Sequence, residues 1–204
     1  MLERLEKRRG QRMNAEAEKR FKNSDYAATV NAFLRERVEF YLRDVRGYAY
    51  DVVNAVLAAG WDDVGDAVSR AEAVTVERSS ADFESISVAF KRIKNILRQA
   101  AESKRKIGDS IHAELLTEAA EKEVAEQMPA VARQVELLRS QKNYRQALVA
   151  ISGLRPAVDK FFDKVMVMVD DERIRANRLA LLQGLLREFS TIADFSEIVT
   201  EGQA

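Results

Sequence analysis

Cysteine is absent from this chain of 204 residues, and histidine occurs once. Without cysteine the chain can form no disulfide framework and no thiolate zinc site, and it has no cysteine nucleophile. A reducing compartment is compatible with this, and the cytoplasm is the expected location. The single histidine, His112, has no second histidine or cysteine to complete a metal site. We therefore expect it to be solvent-exposed or at a helix start, and we expect no bound metal.

Long apolar runs and phosphate-binding loops are also missing. No run approaches the roughly 18 apolar residues of a transmembrane helix, so no membrane partner is expected. Neither a Walker pattern nor a dinucleotide-binding fingerprint is present, so this chain is expected to hold no cofactor of its own. Acidic and basic residues balance at 33 each, and any electrostatic attraction to nucleic acid must therefore be local.

Glycine and proline are scarce, with eight and two residues, and the apolar residues recur at steps of three and four. This periodicity predicts an all-α protein. We expect Gly47 and Gly60 to end helices, and Asp171 with its neighbour Asp170 to cap the last one rather than to act as an acid/base pair. The predicted helices cover Asn31–Arg46, a short segment from Tyr50, a segment from Asp62 and Asp63, Phe83–Ala101, about 114–141, Tyr144–Leu154, a segment from Pro156, and the final helix after Asp171.

The C-terminal third holds the most distinctive apolar patterns. At helical spacing, five residues are predicted to fill the core, namely Phe161, Phe162, Val165, Met166 and Val169. The final helix carries a broad apolar face and is expected to lie centrally, with Leu179, Leu181, Leu182, Leu185, Leu186, Phe189 and Ile192.

Charge density separates the N-terminus from the rest. Residues 1–30 are rich in charge and poor in apolar side chains, and Gly10 interrupts them. They are interpreted as an exposed arm or linker helix, with a basic RNA-contacting arm as the alternative. Residues 31–204 are predicted to form one helical domain.

The best local electrostatic signal is the run from Phe90 to Lys106. It contains seven basic residues, including Arg92 and the consecutive Lys104, Arg105 and Lys106, against one acid, Glu102. On a helix, four of its polar residues fall opposite the apolar side and form what we call the basic stripe: Lys91, Lys94, Asn95 and Arg98. Such a stripe can contact phosphates, although an ordinary solvated helix face has the same pattern.

One extended stretch resembles a known family. The segment that begins at Phe161 is similar to the end of the beta subunit of bacterial heterotetrameric glycyl-tRNA synthetase. Its sequence is FFDKVMVMVDDERIRANRLALLQGLLREFSTIADFSEI. The matching motif is Phe-Phe-Asp-x-Val-x-Val-Met at 161–168, the acids Asp170 and Asp171, and Arg-x-Asn-Arg-Leu-x-Leu-Leu at 175–182. FLRERVEFYLRDVRGYAYDVVNAVLA and KRIKNIL resemble earlier parts of the same region, so the likeness spans about 33–198.

The resemblance implies a helical bundle like the DALR-type anticodon-binding domain of class I arginyl-tRNA synthetase. It implies glycine tRNA as the RNA partner, and the rest of the beta subunit and the alpha subunit as protein partners. The family ligates glycine to its tRNA using ATP, with catalysis on the alpha subunit. This chain is therefore expected to be the C-terminal part of a longer subunit and to be non-catalytic alone.

Two functional classes follow. In the first, the basic stripe and Arg92 position phosphates, while Tyr48 and Trp61 stack on unpaired anticodon bases. In the second, the chain is a structural helical module that packs against other parts of the enzyme, as the apolar face of the last helix suggests. Three polar residues of the final helix, Arg175, Asn177 and Arg178, are expected to have a structural role, with RNA contact as the alternative.

Overall fold

The computed structural model describes residues 25–199, and within them every regular element is a helix. The prediction of an all-α fold is confirmed. The α-helices are α1 (Asp25–Phe40), α2 (Tyr50–Ala58), α3 (Val64–Glu77), α4 (Ala81–Glu102), α5 (Ala119–Ser140), α6 (Tyr144–Ser152), α7 (Arg155–Lys164) and α8 (Glu172–Phe189). A π-helical turn at Tyr41–Val45 continues α1, and 3-10 turns lie at Ala113–Leu115 and Phe195–Glu197.

Short polar side chains start three of these helices, and the capping role predicted for Asp171 is among them. The Asp63 carboxylate accepts from the N–H of Asp66 at 3.0 Å, and the Ser80 hydroxyl accepts from that of Phe83 at 3.2 Å. Asp171 accepts from two N–H groups of the first turn of α8, at 2.8 and 3.1 Å. Each bond satisfies a donor that the helix itself leaves unpaired, and so it fixes where the helix begins.

Two glycines mark the predicted helix ends. Gly47, after the π-helical turn, has a φ of +75°, and Gly60, after α2, has a φ of +122°. Side chains with a Cβ rarely adopt these backbone conformations, so glycine lets the chain turn there without strain.

The described residues divide into two compact units, 25–41 and 42–199. In the first, α1 carries exposed apolar side chains, and the Arg37 guanidinium lies 4.9 Å from the centre of the Phe33 ring. α1 runs through residues 30 and 31 without a break, while residues 1–24 of the predicted arm lie outside the described part. The boundary between arm and domain stays a prediction.

The second unit has one core built around α4 and α8. Phe195 packs edge-on against Phe83 and Phe90 of α4, with ring centres 5.3 and 5.4 Å apart. The broad face of α8 is buried in this core as predicted, except that Leu186 is only half-buried. Because that face is buried within the chain, it is not available to a partner. It therefore gives no support to the interpretation of this chain as a structural module that packs against other parts of the enzyme.

The residues after α7 correct a prediction. The helix ends at Lys164, and the next five residues, which we call the Val-Met segment (Val165–Val169), are not helical. Their side chains alternate: Val165 and Val167 are each 6% exposed, whereas Met166 is 73% exposed. The expectation that Met166 fills the core was wrong because a helical period was extended past the end of the helix. Val165 has extended backbone angles, with φ −109° and ψ 117°, and such a backbone sends successive side chains to opposite sides.

Candidate nucleic-acid interface

The basic run lies on the second half of α4 and on the loop that follows it. α4 buries Phe90 and Ile93, and this leaves the basic stripe on the outer side of the helix. The helix ends at Glu102, and Lys104 then takes a positive φ of 52° that turns the chain away. Two sets of cations result, one on the helix and one on the loop.

Lys94 is tied to the C-terminal end of the described chain. Its Nζ donates to Asp194 at 2.7 Å, to the Ser196 hydroxyl at 2.9 Å and to Glu197 at 3.3 Å. Burial alone would lower the pKa of Lys94, but the bond and the negative charge of Asp194 outweigh it and raise that pKa. Burial alone would likewise raise the pKa of Asp194, but the bonds from Lys94 and Ser196 hold it below its usual range. The geometry gives Lys94 a fold-stabilising contact.

Arg92, Asn95 and Arg98 are more exposed than Lys94. Arg98 is exposed and pairs with Glu102 one turn later at 3.1 Å, a surface pair of the kind that contributes little to stability. The guanidinium of Arg92 lies 4.2 Å from the centre of the Phe162 ring. Asn95 is exposed and Lys91 half-buried. Arg92, Asn95 and Arg98 are exposed and can reach a partner, but the predicted contact of these three residues and of Lys91 with RNA stays a prediction.

The loop after α4 carries the densest positive charge. Lys104, Arg105 and Lys106, which we call the basic loop, are all exposed, and none has a carboxylate within 4 Å among residues 25–199. Their charges are therefore available to a partner, unlike that of Lys94. The sequence shows these three consecutive cations, but a helical period does not place them on the stripe, because they lie beyond the end of α4.

The basic loop borders a cavity of about 440 Å³ at the start of α8. Lys106 and Arg173 contribute cationic side chains to its lining, and Ser110 contributes a hydroxyl. Asp109, Glu114 and Glu172 line it as well, so acidic side chains outnumber the two cations in the cavity itself. A phosphate group would approach from the basic loop rather than from the cavity floor.

Main-chain contacts hold this loop against α8. Buried Asn177 accepts from the N–H of His112 at 2.7 Å and donates to the His112 carbonyl at 3.1 Å. The N–H of Gly108 donates to the carbonyl of Ala176 at 3.0 Å. A Cβ at position 108 would lie only 3.1 Å from that same oxygen, which explains why glycine stands there. His112 itself is exposed, and its backbone rather than its ring anchors the loop.

Two arginines of α8 hold the Val-Met segment. Arg178 is buried, forms an ion pair with fully buried Glu121, and donates to the Met166 carbonyl at 2.7 Å and the Thr117 hydroxyl at 3.1 Å. Arg175 donates to the carbonyl of Val169 at 2.7 Å. With Asn177, these residues have the structural role expected of them, and the carboxylate that Arg178 pairs with is that of Glu121.

The two aromatic candidates lie near the ends of α2. Tyr48 precedes that helix, is half-buried, and accepts from Arg46 at 3.5 Å. Trp61 follows it, is half-buried, and lines a separate cavity with Asp62 and Arg139. Neither lines the cavity beside the basic loop. Their predicted stacking on bases stays a prediction.

The part of the chain from residue 25 to residue 199 contains no group of three or more histidine, cysteine, aspartate or glutamate side chains placed to hold a metal ion. It also contains no helix with the length and apolar character needed to cross a bilayer.

Comparison with known proteins identifies relatives. Residues 86–197 match the family model of the DALR anticodon binding domain, and they include α4, α8 and the basic loop. The chain is 59% identical over 174 residues to the glycine--tRNA ligase beta subunit of Acidobacterium capsulatum, which covers 83% of this chain and 25% of that protein. The beta subunit of Geobacter metallireducens is 41% identical over 174 residues, covering 85% and 24%. The chain thus spans about a quarter of the length of the curated relatives it matches.

Proposed function

This chain belongs to the DALR anticodon binding domain family and resembles the glycine--tRNA ligase beta subunits, and we propose on that basis that it binds the anticodon arm of glycine tRNA. In this proposal it is one part of a beta subunit that supports ATP-dependent ligation of glycine to its tRNA in the cytoplasm. Catalysis and the ATP site lie on the alpha subunit. The absence of a phosphate-loop motif from this sequence is consistent with that division.

The basic loop is the observation that carries the proposal. Its three cations are adjacent, exposed and without ionic partners in the described residues. Binding to RNA phosphates releases condensed counterions, which favours the complex. Cations without an ionic partner bind phosphates at the lowest cost, because they need not first break an ion pair with a carboxylate. Arg92, Asn95 and Arg98 lie on the preceding helix and would extend the contact along the RNA backbone.

Binding of glycine tRNA by this chain, measured against salt, tests the proposal. Changing Lys104, Arg105 and Lys106 together to Ala should weaken binding at least tenfold and reduce the slope of log affinity against log salt by about 2. A matched triple variant removes the same charge elsewhere by changing Arg133, Lys164 and Arg187 to Ala, and it should bind almost like the parent. If both triple variants lose affinity equally, contact is not local to the basic loop. If the parent chain binds no tRNA, the proposal fails.

A structural module that packs against other parts of the enzyme is the second candidate. Helix α1 favours it, because this helix exposes large apolar side chains: Tyr26, Phe33, Leu34 and Phe40. A chain that binds no tRNA, yet restores assembly and aminoacylation to an enzyme truncated of this region, would establish it in place of the first.

A further inference from the structure

The cavity beside Trp61 is a second feature that the basic loop does not explain. Its volume is about 190 Å³, and it lies where α2 ends and α3 begins, with the end of α5 and the start of α6 alongside. The lining includes the aromatic ring of Trp61, the carboxylate of Asp62 and the guanidinium of Arg139. This combination can meet both the face and the edge of a planar polar ring.

Buried Arg70 gives the cavity a rigid frame. It donates to the carbonyl of Val56 at 3.1 Å, to that of Gly60 at 2.6 Å and to that of Ile192 at 3.0 Å. These bonds fix the end of α2, the residue before Trp61 and the chain beyond α8 to one side chain. Trp61 is thereby held on a backbone that does not need to be ordered by a ligand, which lowers the entropic cost of binding.

Two of the three aspartates in the lining are occupied by the fold. Asp63 caps α3, and Asp66 accepts from Arg70 at 2.8 Å and from the Tyr144 hydroxyl. Burial, followed by the bond to Asp66, raises the pKa of Tyr144 to about 12, so this hydroxyl keeps its proton at neutral pH. Asp62 is different: it is exposed and has no hydrogen-bond or ionic partner among the described residues. Its carboxylate is free to accept from a ligand.

We propose that this cavity binds one unpaired nucleobase that carries an exocyclic amine, cytosine above all. Trp61 provides the stacking surface, Asp62 accepts from the amine, and Arg139 donates to the ring nitrogen and carbonyl beside it. This assignment rests on the proposed function and deepens it by naming what selects the base.

The edge of the base decides the preference. Cytosine presents a donor next to two acceptors, which matches a carboxylate next to a guanidinium. Uracil presents an acceptor where cytosine has its amine, and that oxygen would face the Asp62 carboxylate. Arg139 now pairs with Glu136 at 2.8 Å on the surface, and an exposed pair of this kind is exchanged at little cost.

The position of the cavity suits an RNA arm that also touches the basic loop. Arg173 at the start of α8 lines the cavity beside the basic loop, and Thr191, just after α8, lines the cavity beside Trp61. α8 has 18 residues and is about 27 Å long. The two sites therefore lie near opposite ends of one rigid helix, so one can hold stem phosphates while the other holds a loop base.

Trp61 is the only tryptophan in the chain, so its fluorescence reports on this cavity alone. The whole chain is titrated with an RNA hairpin bearing the anticodon loop of glycine tRNA, and with the same hairpin in which the anticodon cytosines are uracils. The cytosine hairpin should quench the fluorescence and bind at least about fivefold more tightly. Asp62→Asn should bring the two affinities to within about twofold, since an amide can also donate to the uracil oxygen. Asp163→Asn, an exposed acid elsewhere, should leave the preference intact.

A second variant separates stacking from folding. Trp61→Leu should weaken binding of the cytosine hairpin about fivefold or more, and Trp61→Phe should recover most of that affinity, with circular dichroism confirming the helical fold of both. If the parent discriminates against uracil and neither Asp62→Asn nor Trp61→Leu alters this, the cavity is not the site, while the proposed function stands. If the parent binds neither hairpin nor intact glycine tRNA, the proposed function itself is overturned.

Discussion

Buried Arg178 and the exposed basic loop use positive charge in opposite ways. All the groups that Arg178 reaches belong to the chain itself: a carboxylate, a hydroxyl and a main-chain carbonyl. The basic loop reaches no carboxylate of the described residues. Lys94 is intermediate, since it is partly exposed yet bound to three oxygens. Cations that stabilise the fold have several acceptors within the chain, whereas cations available to RNA have few or none. This number of acceptors distinguishes the two kinds better than the position of the cation on a helix face.

The largest effect is expected where a buried charge loses its partner. Arg178→Met should lower the free energy of unfolding by about 3–5 kcal/mol, because Glu121 is left buried without a counter-charge. Urea unfolding followed by circular dichroism measures this change. Changing both residues to Met should recover much of the loss, and the basic-loop triple variant should stay within about 0.5 kcal/mol of the parent. A small loss for Arg178→Met alone would remove the contrast between the two kinds of cation.

The Val-Met segment offers a comparison between neighbouring side chains. Val167→Ala should cost about 2 kcal/mol, since it removes buried methyl groups and leaves a cavity. Met166→Ala should change stability by less than about 0.5 kcal/mol, because its side chain is mostly in solvent. The same unfolding measurement ranks them. Equal losses would mean that the helical spacing first expected for this segment is the correct one.

A smaller effect is expected from the ion pair of Lys94 with Asp194, and it depends on pH. The pKa of Asp194 is lowered in the fold, so its contribution is present above its ordinary pKa near 4 and is lost as the pH falls through the lower folded value. The pKa of Lys94 is raised in the fold, so its contribution to stability is present at lower pH and is lost as the pH rises above about 10.5. Because Lys94 is partly exposed, the pair contributes about 1 kcal/mol or less.

Unfolding measured at pH 7 and at pH 2.5 checks this expectation. The parent should lose about 1 kcal/mol more than Asp194→Asn between the two values. The same loss in both proteins would show that Asp194 does not sense pH through this pair.

Local signals in the sequence predicted the helices well, whereas distant contacts escaped them. Asp63, Asp171, Gly47 and Gly60 act within one turn of their own position, so their roles follow from the sequence. The partners of Lys94 lie 100 to 103 residues away, and no periodicity of α4 could indicate them. The predicted stripe rests on the period of one helix alone, and it therefore includes Lys94, which is bound within the fold.

The candidate site was predictable to a similar degree. The sequence marks Trp61 as an aromatic candidate, but the guanidinium of Arg139 comes from a helix far along the chain, and only the fold brings the two to one cavity. The alternation in the Val-Met segment was missed for a local reason, since nothing in its composition marks Lys164 as the last helical residue.

The way the basic loop is attached has a consequence for how the protein can change. Asn177 grips the backbone of His112, and Gly108 meets α8 through its own N–H, so the path of the loop does not depend on the identity of its charged side chains. Substitutions at Arg105 and Lys106 are therefore expected to cost little stability, whereas the φ of 52° at Lys104 restricts the side chains that can replace it. Variants of this domain can therefore change the charge of this surface while they keep the same scaffold, which separates the evolution of the surface from that of the fold.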